Sequence, residues 1–557
     1  MAVATGDRHT PPTLSRTMRL RLGPIAALVA AVCLLPVLAV VVAALTGSFD
    51  TWRHLLATVL PGYALNTLLL CVSVSAGAAA LGTAAAWLVT MTRFPGVRLL
   101  EVLLALPLAF PAYVLAYAYT SFLSHSGPVQ SGLRNVMGWG PSDYWFPDVR
   151  SLPGAAVMLI LVLYPYVYLL ARASFLQQSA STFIAARALG RGPWYAFWTV
   201  SLPMARPAIA GGALLAVMET LADFGTVAHF GVQTLATGIY QSWFSLGDRT
   251  AAAQLAFCLM TVALFVTLLD RQSRGRARHN NTGKRFETLP PMALRGWRAA
   301  GAVTLCAVPV TLGFVLPVIV LAQMAVGSGQ DVTSPRYLHF IGNSLTLAGL
   351  AAAVTMAGAM ALRFHARFRA GRGPRAMVEI ARLGYAVPGG VIAVGLLVPA
   401  AAFDNGLDAW MRDSFGISTG LLLTGSIGLL LTAYLVRFSA VALGALDGGL
   451  APVSRTIDLV ARTLGAGVPR TIWRVHLPIM APSVLTGALI VFVDVMKELP
   501  ATLILRPFNF DTLAVQAFRL ASDERLNGAA VPSLIIVAAG LLPVILVLRT
   551  MSRRGFA

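Results

Sequence analysis

Charged residues are scarce in this chain. Of its 557 residues, 57% are hydrophobic and only 11% are Asp, Glu, Lys or Arg, whereas about 25% of an ordinary soluble domain is charged. Many apolar runs reach the roughly 20 residues that cross a bilayer as a helix. The composition therefore excludes a soluble globular protein. It also excludes a membrane β-barrel, because the apolar runs are continuous and do not alternate with polar residues.

Residue types that carry chemistry are equally sparse. The four cysteines are scattered over the apolar runs without metal-ligand spacing, which favours a packing role. The chain has only two lysines, Lys284 and Lys497, and neither stands in the G-x-x-x-x-G-K-[ST] motif that cradles nucleotide phosphates. H-E-x-x-H and nucleophile motifs are missing too. We therefore expect no catalytic residue, no resident metal and no cofactor.

The apolar runs predict an all-α polytopic membrane protein with about twelve transmembrane helices. The predicted spans are 24–46, 63–91, 99–122, 152–172, 206–228, 251–270, 299–324, 342–362, 377–402, 419–436, 481–505 and 529–548. Arginines cluster in connections that share one side of the membrane, around residues 16–21, 271–298, 363–382 and 549–554. This positive-inside distribution explains the net charge of +20 without nucleic-acid binding, and it predicts cytoplasmic termini. The first apolar run is too long for a signal peptide, so we expect an uncleaved span.

One polar stretch occurs twice, 275 residues apart. Its copies are ARALGRGPWYAFWTVSLPMARP (186–207) and ARTLGAGVPRTIWRVHLPIMAP (461–482), each after the fourth span of its half. Both contain Ala-Arg-x-Leu-Gly, eleven further residues and Leu-Pro. The composition predicts a short helix on the inner surface, ending at Gly190 or Gly465. Pro207 and Pro482 then stand where the fifth span is expected to begin.

The two halves match beyond this stretch. The matching pairs are Asn66-Thr67-Leu68 with Asn343-Ser344-Leu345, the segments around Pro111 and Pro388, and Thr234-Leu235 with Thr512-Leu513. Six spans per half, an even number, predict two parallel six-helix repeats about an axis along the membrane normal. The predicted organisation is a cytoplasmic tail 1–23, a first domain 24–270 with loop 174–205, a cytoplasmic linker 271–298, a second domain 299–549 with loop 443–480, and a tail 550–557.

The repeated stretch resembles the cytoplasmic EAA loop of ABC-type importer permeases (type I fold), in which Glu-Ala-Ala, three residues and Gly precede a Leu-Pro pair. The chain departs from this motif at the glutamate, which is Ile184 in one copy and Leu459 in the other. The resemblance implies that the two loops dock in grooves of a separate ATPase subunit dimer. The residues implied in this coupling are Ala186, Arg187, Gly190, Leu202, Pro203, Ala461, Arg462, Gly465, Leu477 and Pro478.

The sequence of the fifth span in each half indicates which kind of ABC importer permease the chain resembles. METLADFGTV (218–227) and VDVMKELPATL (493–503) are similar to the fused, twelve-span permeases of ferric-iron importers. That likeness implies an inner-membrane permease that receives ferric iron from a periplasmic or lipid-anchored binding protein and has no nucleic-acid partner. Related permeases carry thiamine or phosphonates, so these substrates remain alternatives.

The same segments place acids inside the membrane. Glu219 and Asp223 are four residues apart, which predicts one helix face, and they correspond to Asp494 and Glu498, with Lys497 between the latter two. Three hypotheses follow: the acids and Lys497 line a translocation path, they clamp helices together, or they contact a partner outside. An ion-coupled secondary transporter is the alternative of another class. Three nearby aromatic residues are expected to pack: Tyr113, Tyr117 and Tyr119.

Overall fold

The computed structural model describes residues 16–176, 178, 195, 197–276, 292–369 and 371–554, which are almost wholly helical. The α-helices of the first half are Arg16–Thr46, Phe49–Ala57, Leu60–Met91, Val97–Leu103, Ala112–Leu123, Pro128–Met137, Leu152–Leu176, Leu202–Ala222, Gly225–His229, Leu235–Tyr240 and Arg249–Arg276. Those of the second half are Trp297–Val310, Leu316–Val326, Pro335–Phe368, Arg372–Leu383, Gly389–Phe415, Ile427–Leu450, Arg455–Thr463, Val468–Thr471, Leu477–Met496, Pro500–Leu505, Leu513–Ser522 and Leu526–Arg554. Short 3₁₀ segments are Leu106–Ala109 and Gly384–Ala386, and π-helical segments are Phe197–Ser201, Gln241–Ser245, Thr311–Val315 and Ile472–His476.

Eleven helices of the described residues are long and apolar enough to cross a membrane. The predicted span 99–122 is instead bent by 95° between Val97–Ala109 and Ala112–Met137, and counting this pair as one span makes twelve. Pro111 stands at the bend, where its missing N–H and fixed φ interrupt the helix. The predicted fold class, an all-α polytopic membrane protein of two parallel six-helix repeats, is confirmed.

Other predicted boundaries were wrong by up to 14 residues. The span expected at 377–402 is Gly389–Phe415, because Pro388 separates it from the amphipathic helix Arg372–Leu383. The spans expected at 206–228 and 481–505 end at Ala222 and Met496, and a short helix follows each of them.

Two prolines were also misassigned. Pro207 and Pro482 lie inside their helices, whereas Pro203 and Pro478 occupy the first turns. A membrane helix tolerates an interior proline because neighbouring groups satisfy the backbone carbonyl that the ring leaves without a donor.

We call the side of the molecule with helix Arg455–Thr463 the loop face, and the side with Arg150 and Glu524 the far face.

The segments that match between the halves make the same contacts in each. The Asn66 side chain donates to the Gln233 carbonyl at 2.8 Å, as Asn343 donates to Asp511 at 3.1 Å. The hydroxyl of Thr67 accepts the Leu235 amide at 3.1 Å, and Ser344 accepts that of Leu513 at 2.8 Å. Thr234 and Thr512 cap the helices that begin there. The duplication read in the sequence is therefore a duplication of structure.

The first span of each half packs on the opposite half. Arg16–Thr46 lies against Pro335–Phe368 and Gly389–Phe415 of the second half. Leu316–Val326 packs on Leu526–Arg554 of its own half and also contacts Ala112–Leu123 of the first half. Tyr119 donates to the Leu312 carbonyl at 2.7 Å across this contact. The absence of a side chain at Gly395 lets the backbone of Pro36 approach. The two repeats are thus interlocked by exchanged helices.

The end of the predicted linker also joins the halves. Met292–Ala293 pairs in parallel with Thr92–Arg93, with Thr92 opposite Met292. The Leu294 amide continues the pairing by donating to the Arg93 carbonyl at 2.9 Å. Residues 277–291 of the linker lie outside the described residues.

Candidate functional site

A cavity of about 120 Å³ lies between the two halves, and predicted charged residues line it. All five residues assigned to a path in the sequence contribute to its wall: Glu219, Asp223, Asp494, Lys497 and Glu498. An ionised group at mid-membrane costs about 2.5–3.5 kcal/mol even on the lenient insertion scale, so such groups require partners or a wet cavity. The structure supplies partners and a cavity that these groups line.

Asp223 and Glu498 do not continue the helix faces on which Glu219 and Asp494 lie. The helices end at Ala222 and Met496, which corrects the expected one-face arrangement of each pair. Asp223 instead accepts the amides of Thr226 and Val227 at 3.2 Å and the Thr226 hydroxyl at 2.9 Å. A carboxylate in this position satisfies amides at a helix start that otherwise lack acceptors.

Glu498 makes the equivalent contacts in the second half. Its carboxylate accepts the Ala501 amide at 2.9 Å, the Thr502 amide at 3.0 Å and the Thr502 hydroxyl at 2.6 Å. Glu498 is buried, with 5% of its surface exposed. These two acids therefore have a structural role as caps, and they face the cavity from there.

Glu219 and Asp494 have different partners. Glu219 accepts the hydroxyl of Tyr385 from the other half at 2.9 Å. Asp494 pairs with Lys497 at 2.9 Å. No group of three or more His, Cys, Asp or Glu side chains in the described part of the chain is close enough to hold a metal ion. The acids line a wall and do not form a closed coordination cage.

Sequence reasoning missed several residues of the wall: Tyr113, Tyr166, Tyr385 and Arg437. Tyr113 was expected to be a packing aromatic, and it is buried, yet it also lines the cavity. A Cβ atom at Gly389 would lie 2.7 Å from Glu498 Oε1 and 2.8 Å from Arg437 Nη1. Comparison of the repeats could have identified Arg437 from the sequence, because the equivalent residue of the first half is an uncharged valine, Val162. Val162 lines the same cavity.

An aromatic layer separates the cavity from the far face. Phe224 stacks on Tyr240 with ring centroids 3.7 Å apart, and it contacts Phe518 of the other half at 5.5 Å. Tyr240 also donates to the carbonyl of Pro500 in the other half. Phe224 lines both the central cavity and a pocket of about 450 Å³ beyond it. The layer therefore closes the cavity on this side.

An ion pair spans the halves further out. Arg150 donates to both carboxylate oxygens of Glu524, at 2.8 and 2.9 Å. Glu524 has φ +56°, a left-handed conformation that is uncommon for a residue with a side chain. We call this pair the far-face latch.

The repeated stretch is described in its second copy. Helix Arg455–Thr463 ends as predicted at Gly465, whose φ is +76°. The Gly465 amide donates to Arg462 and the Ala466 amide donates to Ala461, which is the Schellman pattern of a helix end. Apolar side chains are exposed along it, with Leu459 59% and Leu464 80% exposed.

Asp458 fastens this helix to two spans. It pairs with Arg367 Nε at 2.9 Å, and one of its oxygens lies 2.8 Å from His476 Nε2. Arg367 also donates to the carbonyls of Val453 and Ser454. The Asp458 side chain thus points toward the membrane spans, while Leu459, which replaces the motif's glutamate, points away from them.

The other predicted coupling residues have mixed outcomes. Leu202 and Leu477 begin helices, with Pro203 and Pro478 next to them in the first turn. Ala461 is buried, and Arg462 lies in the last turn of its helix. Ala186, Arg187 and Gly190 lie outside the described residues.

Comparisons with known proteins agree with this architecture. Residues 78–279 match the family described as binding-protein-dependent transport system inner membrane component. The Fe(3+)-transport system permease protein FbpB 2 of Haemophilus influenzae is 28% identical over 498 residues, covering 86% of this chain and 88% of that protein. The ferric transport system permease protein FbpB of Actinobacillus pleuropneumoniae is 22% identical over 75% of this chain and 60% of its own length.

Half-length relatives also match. The molybdenum transport system permease protein ModB of Escherichia coli is 29% identical over 208 residues, which cover 36% of this chain and 86% of ModB. Fused and half-length relatives alike are named permease proteins, which fits a chain of two similar halves. With its duplicated helical fold and these relatives, the chain is similar to the inner-membrane permease components of binding-protein-dependent ABC transport systems.

Proposed function

We propose that this permease imports ferric iron, and that its central cavity is part of the iron path. The observation that carries the proposal is the set of four carboxylates, Glu219, Asp223, Asp494 and Glu498, which recur at the same repeat offset and line one cavity. Carboxylate oxygens are hard ligands that suit a small, highly charged cation. Their excess over the nearby cations makes the cavity electronegative, which attracts such a cargo.

The arrangement of the acids suits transient occupancy. In the described residues, no three metal-ligating side chains converge on one point. A path must bind its cargo favourably enough for entry and weakly enough for release. Carboxylates spread along a wall, each already hydrogen-bonded, meet this requirement better than a closed cage of ligands.

ATP hydrolysis is proposed to take place in a separate subunit dimer. The exposed apolar side chains Leu459, Val460 and Leu464 support docking of the second loop helix in a groove of that subunit. The equivalent contact in the first copy would use Ala186, Arg187 and Gly190. Closure of the ATPase dimer would draw the two loops together and tilt the halves.

The loop face is then cytoplasmic and the far face receives cargo. This orientation follows the arginine clusters and puts both termini in the cytoplasm. We also propose that residues 24–270 and 299–549 form the two membrane domains and that the linker 271–298 joins them in the cytoplasm. A periplasmic or lipid-anchored binding protein would deliver iron to the far face, where the aromatic layer and the far-face latch form the closed gate.

Uptake of radiolabelled ferric iron by cells with and without this gene tests the proposal. Thiamine, a phosphonate and molybdate serve as parallel cargoes, because related permeases carry other solutes. We expect loss of iron uptake alone, restored by the wild type but not by Glu219→Gln with Asp494→Asn. These substitutions remove charge and spare the two capping acids.

The opposite results are equally informative. Loss of another solute with unchanged iron uptake would discard iron and retain the permease function. Uptake that persists after ATP depletion and collapses with the proton gradient would support an ion-coupled carrier instead.

A further inference from the structure

We propose that the cavity also binds an oxyanion of the phosphate or carboxylate type at Arg437, so that the metal crosses as its oxyanion complex and not as a bare ion. This inference rests on the iron import proposed above. It names the chemical form of the cargo, which the acids alone leave open.

The acidic residues of the cavity recur at equivalent positions in the two halves, whereas its cationic residues do not. Glu219 and Asp223 recur as Asp494 and Glu498. Arg437 and Lys497, however, correspond to Val162 and Ala222. All of these residues line the cavity. Since the first half folds with valine at this position, the fold itself does not require a guanidinium at Arg437.

The carboxylates of the cavity already have partners. Lys497 pairs with Asp494, Tyr385 donates to Glu219, and backbone amides satisfy Asp223 and Glu498. Arg437 makes no ion pair within 4.0 Å and no hydrogen bond with any residue that the structure describes. Its guanidinium lies 5.8 Å from the Phe438 ring centroid, which uses none of its N–H groups.

A guanidinium without a direct partner is costly in the membrane interior even beside acids, so a ligand that pairs with it would be favourable. The planar guanidinium presents parallel N–H donors that match two oxygens of a carboxylate or phosphate.

A second donor lines the same cavity independently. Tyr113 is 5% exposed, and its hydroxyl has no hydrogen-bond partner among the described residues. A buried hydroxyl without a partner is unfavourable, so this group too is suited to an acceptor that enters the cavity. Its equivalent in the second half is Gly390, so this donor also breaks the repeat.

The cavity that Arg437 lines has room for a small ligand. The cavity volume of about 120 Å³ corresponds to roughly four water molecules in the liquid. A metal ion with one small oxyanion is of this size, with the metal toward the carboxylates and the anion toward Arg437 and Tyr113.

Dual-label transport tests the inference. The complete transporter, this chain with its ATPase and binding protein, is reconstituted in proteoliposomes. Labelled ferric iron is supplied with labelled phosphate in one arm and labelled citrate in another. We expect ATP-dependent co-accumulation of iron and one of the anions at a constant ratio. Arg437→Gln should lower the accumulation of both labels at least about tenfold, because it removes the charged guanidinium and its parallel N–H donors.

Three variants serve as controls. Arg437→Val copies the first half and so checks folding by thermal stability. Arg437→Lys keeps a point charge without the fork and should give intermediate uptake. Arg412→Gln makes the same chemical change at a residue outside the cavity wall and should behave as wild type.

Two outcomes separate the inference from the proposed function. In the first, iron accumulates without either anion and at the same rate in the wild type and in Arg437→Gln. This result would overturn the inference and would still support iron import. No iron accumulation in the wild type, with Arg437-dependent uptake of molybdate or a phosphonate, overturns iron import and retains the anion site.

Discussion

At the scale of single residues, Glu498 combines a structural and an electrostatic role. Its carboxylate caps a short helix and also lines the cavity. Glu498→Ala should lower the free energy of unfolding by about 1–2 kcal/mol, because two buried amides lose their acceptor. Glu498→Gln retains one of the two acceptor oxygens, so it should cost less stability than Glu498→Ala while iron uptake falls.

The measurement is thermal unfolding of the purified permease beside uptake in cells. Wild-type uptake by a stable Glu498→Gln variant would leave Glu498 with the capping role alone. Asp223→Asn, which changes the equivalent cap of the first half, is the matched comparison.

At the scale of elements, the end of the second loop helix depends on one glycine. Gly465 has φ +76°, which proline cannot adopt, so Gly465→Pro should disrupt the helix end and abolish association with the ATPase. Gly416→Pro is a matched control, since Gly416 also ends a helix with φ +68°, but on the far face. Co-purification with the ATPase is the measurement. Equal loss of association in both variants would contradict a docking role specific to the loop.

The far-face latch is a weak element that biases an equilibrium. Arg150 and Glu524 are partly exposed, so solvent screening limits the pair to at most about 1 kcal/mol, or about a fivefold shift in the closed population. Arg150→Glu should therefore lower uptake a few fold without stopping ATP hydrolysis, and adding Glu524→Arg should restore it. Failure of the double exchange to restore uptake would count against a gate formed by this pair.

The latch also has a defined pH dependence. The hydrogen bond from Arg150 holds the pKa of Glu524 below its ordinary value of 4.5. Because this pKa is lowered in the folded protein, the stabilising effect is complete above pH 4.5 and is lost as pH falls through the folded value. We expect the latch to stay closed at neutral pH. A change in the effect of Arg150→Glu between pH 6 and 8 would contradict this assignment.

At the scale of the whole molecule, the exchanged first spans predict that the halves assemble without a covalent link. Fragments 1–284 and 285–557 should co-purify when they are expressed together, because each half seats a span of the other. Gly395→Leu should lower recovery, since its side chain would meet the Pro36 backbone, whereas Gly406→Leu in the same helix meets open space. Equal recovery of the two variants would argue against the exchange.

Local signals in the sequence predicted much of this molecule. Continuous apolar runs predicted the spans, because a backbone in lipid must satisfy its hydrogen bonds within a helix. The repeated Gly-to-Leu-Pro stretch predicted the loop helix and its end at Gly465, since glycine alone favours that conformation. The acids that break the apolar runs predicted a charged site, because uncompensated charges in a membrane are rare.

Only the tertiary structure decided the remainder. The sequence could not reveal that Asp223 and Glu498 leave their helices to cap others, because an i, i+4 spacing is the same in a continuous helix and across a break. Nor could it show that the first spans are exchanged, or that Arg437 meets the acids without an ion pair. Which elements cross a membrane depends on local hydrophobicity, so the sequence by itself determined it. Which side chains share a cavity depends on contacts between residues far apart in the chain, and packing alone decides them.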